Sequence, residues 1–119
     1  MFDPEWERTG HLRRAAVLLR DWVDAQRVEG LAIELVEVAG LTPVLFIEVA
    51  ATSASLAEHT VLVYGHLDKQ PEMEPWSEGL GPWKPVLRGD RLYGRGGADD
   101  GYAVFSAVIA LAAAHAAGT

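Results

Sequence analysis

Between residues 12 and 27 the apolar side chains fall at Leu12, Ala15, Ala16, Leu19, Trp22 and Val23, while Arg13, Arg20, Asp24 and Arg27 face away. This i, i+3, i+4, i+7 stripe predicts an amphipathic helix. Two starts compete for it. Asp3-Pro4 offers a cap followed by proline at the first helical position, and Thr9 offers a cap nearer the stripe; Gly30 is expected to close the helix. The period then changes. Leu31 to Val38 and Pro43 to Val49 are short runs rich in Val, Ile and Leu, separated by the turn-forming Ala39-Gly40-Leu41-Thr42. They predict two neighbouring strands, with Glu34, Glu37 and Glu48 marking partial exposure. Thr60 to Tyr64 carries no charge, which predicts a central strand covered on both faces and ended by Gly65. Between Val49 and Thr60 a polar stretch predicts a surface connection.

From His66 to Trp83 the chain contains Pro71, Pro75, Pro82, Gly79 and Gly81, with Trp76 and Trp83 among them, so neither helix nor strand is expected to run far. A long ordered loop of this kind is usually functional. Val86-Leu87-Arg88 and Arg91-Leu92-Tyr93 flank Gly89-Asp90, a two-residue hairpin signal that also accounts for the adhesion-like Arg88-Gly89-Asp90 triplet. Tyr102 to Ala117 has no charged residue, is dominated by alanine, and is followed by Gly118, predicting a helix that wants burial on most sides. It falls short of the roughly 20 apolar residues of a membrane span, so a core helix against a sheet is expected, with no membrane partner.

Composition narrows the chemistry. The 119 residues are half hydrophobic and 23% charged, the balance of a globular domain and not of a disordered segment. A formal charge of -7 with no block of Lys or Arg argues against a nucleic-acid partner. There is no cysteine, which removes disulfides, thiol nucleophiles and Cys-ligated zinc, so any metal site rests on His, Asp and Glu. The first 30 residues lack the basic start and apolar run of a signal peptide, and a cytoplasmic location is expected.

Two blocks carry candidate chemistry. His66 and Asp68 lie two apart after the charge-free run, and the extended period puts both side chains on one side of the backbone. There a carboxylate either simply satisfies an imidazole or fixes the tautomer of one that ligates a metal. Gly94-Arg95-Gly96-Gly97-Ala98-Asp99-Asp100-Gly101 follows a predicted strand and opens a helix, where dinucleotide enzymes hold a pyrophosphate. Its third glycine position is occupied by Asp99, and two acids there repel phosphate. The pair reads either as cap and dipole partner for the helix or as a carboxylate presented to two metal ions about 3.5–4 Å apart.

Taken together, Val61-Leu-Val-Tyr-Gly-His-Leu-Asp-Lys-Gln-Pro71, Trp76, Trp83-Lys-Pro-Val and Leu92-Tyr-Gly-Arg-Gly-Gly-Ala-Asp-Asp100, with His66 and Asp99 33 positions apart, resemble the M20 family of metallopeptidases. The resemblance is specific from about Thr60 to Ala110. Gln70-Pro71 and the Trp/Pro-rich loop make it more similar to the dipeptidase and carnosinase-like branch than to the deacylases. It implies that His66 binds one zinc, that Asp68 orients His66 as a catalytic-site residue, and that Asp99 bridges two zincs, manganese or cobalt being alternatives. The sequence departs from the family where Gly101-Tyr102 follows the acid pair in place of a frequent Lys, and where Lys69 replaces a frequent Val. The family's Glu-Glu pair, further acidic ligand and late histidine have no counterpart here; His11, His59 and His115 match none of them.

The resulting expectation is an α/β fold, a mostly parallel or mixed sheet flanked by helices, with residues 1–119 forming the N-terminal portion of a truncated zinc-peptidase catalytic domain. Its reaction would be dinuclear-zinc hydrolysis of amide bonds in dipeptides or small peptides, with the isolated portion inactive. The alternative is a noncatalytic, self-associating peptide- or metal-binding module, for which the uncharged helix leaves room for a homo-dimer.

Overall fold

The computed structural model of the chain describes residues 4–118. A single helical turn, α1 (Trp6–Thr9), leads through Gly10 in the left-handed conformation into α2 (His11–Ala25). Asp3 lies outside the described residues. Thr9 is not the cap of α2 either: its hydroxyl donates to the Trp6 carbonyl at 3.2 Å, and Gly10 occupies the cap position. The helix stops at Ala25, before Gly30, which instead turns the chain into the first strand.

The strands β1 (Leu31–Val36) and β2 (Val44–Val49) pair antiparallel in the register Leu31↔Val49 to Val36↔Val44, as their spacing predicts. Leu31, Ile33 and Leu35 share a face with Leu45, Ile47 and Val49, and Ala16, Leu19 and Val23 of α2 form the buried stripe that packs on this hairpin. Helix α3 (Ala103–Ala116) packs on the same helix, with Phe105 edge-on to Trp22 at 4.6 Å between ring centres and Val108 fully buried. A 3-10 turn at Ala54–Leu56 interrupts the connection after β2. The second hairpin, β3 (Val86–Arg88) and β4 (Arg91–Tyr93), turns at Gly89-Asp90 as expected, with Gly89 at φ 63°.

One expectation fails here. The run Thr60 to Tyr64 is extended but unpaired, leaving Val61, Leu62, Val63 and Tyr64 between 66% and 89% exposed. The described residues form two separate two-stranded antiparallel sheets, and not a mostly parallel or mixed one. A charge-free run fits a covered strand, but a strand exists only where neighbours supply hydrogen-bond partners, and no described strand lies alongside this one. The expected burial of α3 is also incomplete, with Ile109 57% exposed.

The open segments show in the dimensions. The radius of gyration is 17.2 Å, against about 13.5 Å for a compact domain of this length. Surface area is 9155 Å², against roughly 6,300 Å² for a compact protein of this mass. Among the described residues, no helix is long and apolar enough to cross a membrane.

Candidate metal centre

The extended 60–65 run delivers His66 to the mouth of α3. Gly65 makes this approach feasible: a Cβ at that position would collide with the Cβ of Ala103 and stand 3.2 Å from Asp100 Oδ2. The His66 backbone N–H then donates to Asp100 Oδ2 at 3.1 Å, and the Gly101 N–H donates to Asp100 Oδ1 at 2.5 Å. Donation from His66, then from Gly101 and Ala103, holds the Asp100 carboxyl below the ordinary aspartate value, against a smaller opposing effect of desolvation. Asp100 therefore does more than cap a helix. It fastens the histidine-bearing arm to the turn that carries Asp99.

The imidazole is held from both sides. Its Nδ1 lies 3.2 Å from Asp68 Oδ1 and 3.2 Å from the Asp68 carbonyl, while Nε2 lies 3.2 Å from Asp99 Oδ1. All three sequence-predicted site residues are thus brought together, with His66 one-third exposed and both carboxylates largely open to solvent. They meet beside the start of α3 and not at the edge of a sheet, because the 60–65 run has no strand neighbours.

Electrostatics fixes what this arrangement wants. With Nδ1–H directed at the Asp68 oxygens, a neutral imidazole turns its Nε2 lone pair toward the Asp99 carboxylate, which is repulsive unless a proton or cation stands between them. Desolvation opposes protonation of His66, but acceptance by the Asp68 carbonyl and the charges of Asp68 and Asp100 outweigh it, raising its pKa above 6.5.

A divalent cation fits the same gap. Two ligands each bonded at 2.0–2.2 Å to a tetrahedral zinc stand about 3.3–3.6 Å apart, and the observed 3.2 Å between Nε2 and Oδ1 lies just below the short end of that range. An imidazole whose second nitrogen is held by a carboxylate is also the usual form of a metal-binding histidine. The donor set is partial: among the described residues, no group of three or more His, Asp or Glu side chains is placed to hold a metal ion. His11 pairs with Arg14 at 2.6 Å, His59 is exposed and His115 is half-buried on α3.

The Trp/Pro-rich loop braces the glycine-rich turn. Glu72 is its hub: its carbonyl accepts from Trp76 Nε1 at 2.9 Å and from Arg95 Nη2 at 3.0 Å, and its carboxylate accepts from Trp83 Nε1 at 2.6 Å. The Arg95 guanidinium lies over the Trp76 ring at 5.6 Å, and the Arg95 N–H donates to the Pro82 carbonyl at 2.8 Å. The sequence reading of this stretch as a loop identified neither Glu72 nor Arg95. The tryptophans, which need partners for their N–H groups, and the glycine-flanked arginine were the available signals.

Residues 62–119 match the model of Peptidase family M20/M25/M40. The matched span takes in His66, Asp68, Asp99, Asp100 and α3, and it supports membership of that family and a peptidase-type hydrolase; peptidases of the family typically use metal ions. Among curated proteins no match to the chain was found.

Proposed function

We propose that the chain carries one half of the metal centre of a zinc-dependent amidohydrolase acting on dipeptides or small peptides. One observation carries this reading: His66 Nε2 and Asp99 Oδ1, from segments 33 positions apart, converge to 3.2 Å, a small outward shift from the separation of two ligands on one tetrahedral ion. His66 and Asp99 would hold the ion, the outer oxygen of Asp99 would serve a second one, and Asp68 would keep the ring in the tautomer that leaves Nε2 free to ligate. Asp100 would hold His66 and Asp99 in register. Bound zinc supplies Lewis-acid polarisation of the amide carbonyl and lowers the pKa of water. Manganese or cobalt suits the same donors.

Two donors do not hold two ions, each of which needs about three protein ligands. On this reading residues 1–119 are the N-terminal portion of a catalytic domain, the remaining ligands and the general-base carboxylate come from further sequence, and these residues alone bind metal without hydrolysing peptide. The same further sequence would flank the exposed 60–65 run as strand neighbours. Gln70-Pro71 and the Trp-lined loop beside the centre support the dipeptidase-like branch, with a small peptide as substrate.

Zinc titration followed by the His66 ring resonances tests this. Asp99→Ala is expected to abolish saturable binding, and Asp68→Ala to weaken it by about 10–100-fold. Asp99→Ala binding zinc as tightly as the unaltered chain would refute the assignment.

A second reading, a self-associating noncatalytic module, is favoured by the exposed apolar run Val61 to Tyr64 and by Ile109. Sedimentation decides it: a dimer supports it, and a monomer at high concentration counts against it.

A further inference from the structure

We propose that Lys69 is a positioning residue for Asp99, an inference that rests on the metal-site reading and extends it to a side chain that ligates nothing. The Lys69 ammonium donates to the backbone carbonyl of Asp100. Its side chain lies across the inner face of the glycine-rich turn. A Cβ at Gly96 would stand 2.7–2.8 Å from Lys69 Cε, Cδ and Nζ, and a Cβ at Gly101 would collide with Nζ. Both glycines also have left-handed backbone, with φ 81° and 128°. The turn is therefore glycine at these two positions for conformation and for room, and the room is filled by one lysine.

The geometry forms a two-point grip. Residues 66–69 hold Asp100 from both ends, the His66 N–H on its carboxylate and the Lys69 ammonium on its carbonyl. Asp99 is the adjoining residue, and among the described residues its carboxylate meets His66 Nε2 as its one polar side-chain partner. With 63% of its side chain exposed, the Asp99 carboxylate is weakly constrained by packing, so its direction depends on the backbone that Lys69 and His66 fasten. Immobilising an exposed lysine costs rotamer freedom, which the contact with the Asp100 carbonyl must offset, and an apolar residue at position 69 would have no donor for that carbonyl.

Lys69→Met, which keeps length and removes the donor, tests this with two readouts that need no metal. Amide hydrogen exchange at His66 and Gly101 is expected to quicken about tenfold, and the His66 Nε2 resonance to move toward its position in Asp99→Ala. Zinc affinity is expected to fall by about tenfold, in the range typical of residues that orient a ligand, while the urea midpoint stays unchanged. Gly96→Ala, which displaces the lysine, is expected to lower zinc affinity as Lys69→Met does, and adding Lys69→Ala to it to lower affinity little further. Unchanged exchange and an unmoved His66 resonance in Lys69→Met would overturn the inference. If the unaltered chain binds no zinc, the metal-site reading falls, and the two metal-free readouts still decide the role of Lys69.

Discussion

Gly65→Ala is the sharpest test of how the centre is assembled. The added methyl would sit against the Cβ of Ala103, an atom of the first turn of α3 with no rotamer to escape into. Methyl carbons pack at about 3.5–4.0 Å, so the arm and the helix start must separate by roughly an ångström. The His66 N–H now stands 3.1 Å from Asp100 Oδ2, and the same displacement takes it beyond hydrogen-bond range. Overpacking of this kind costs about 1–3 kcal/mol. A central value of about 2 kcal/mol shifts the docked-to-undocked equilibrium of the arm roughly thirtyfold. Amide exchange at His66 reads that equilibrium directly, and zinc affinity is expected to fall in parallel. Two comparisons isolate the cause. Ala103→Gly in the Gly65→Ala background removes the opposing methyl and should restore slow exchange. Gly40→Ala, at φ 76° with nothing within 4 Å of the new atom, should leave His66 untouched while straining only its own turn. Unchanged His66 exchange in Gly65→Ala, or failure of Ala103→Gly to rescue it, would refute the steric account.

Three further outcomes are expected. The His66 ring should titrate above 6.5 by NMR, and Asp68→Asn should bring it down; because the folded value is raised, the associated stability is full below the ordinary histidine pKa and disappears as pH rises through the raised one. Asp100 behaves oppositely: its folded value is lowered from 3.8, so its contribution is full above the ordinary aspartate pKa and is lost as pH falls through the lowered value, and Asp100→Asn should remove the acid-range loss of His66 amide protection, measured relative to the intrinsic exchange rate at each pH. Val108→Ala, at a fully buried position of α3, should lower the unfolding free energy by about 2 kcal/mol in urea denaturation without altering the His66 titration.

By itself the sequence determined those elements whose signal is local. The stripe Ala16, Leu19 and Val23 specifies the buried face of α2 because residues three and four apart share one side of a helix. Gly89-Asp90 specifies its hairpin because a two-residue turn needs the backbone freedom that glycine supplies. The residue types at 66, 68 and 99 left two readings open, a satisfied imidazole beside a capping acid pair or a metal site, and it was the resemblance of the whole 60–110 pattern to the M20 family that pointed to metal. Tertiary structure decided what depends on a distant partner. Thr60 to Tyr64 reads as a central strand, yet its hydrogen bonds require neighbouring strands that the described residues do not place there. Asp100 reads as a helix cap, and only the fold sets its carboxylate under the His66 N–H, 34 positions away. Gly65 reads as the end of a strand and Gly101 as part of a glycine-rich turn, and only the packing of the arm on α3 shows that Ala103 and Lys69 occupy the space a side chain would need. Local periodicity specifies backbone conformation within a few residues, whereas the aim of the Asp99 carboxylate at His66 depends on contacts that close a loop of more than thirty residues, and that closure is a property of the folded chain alone.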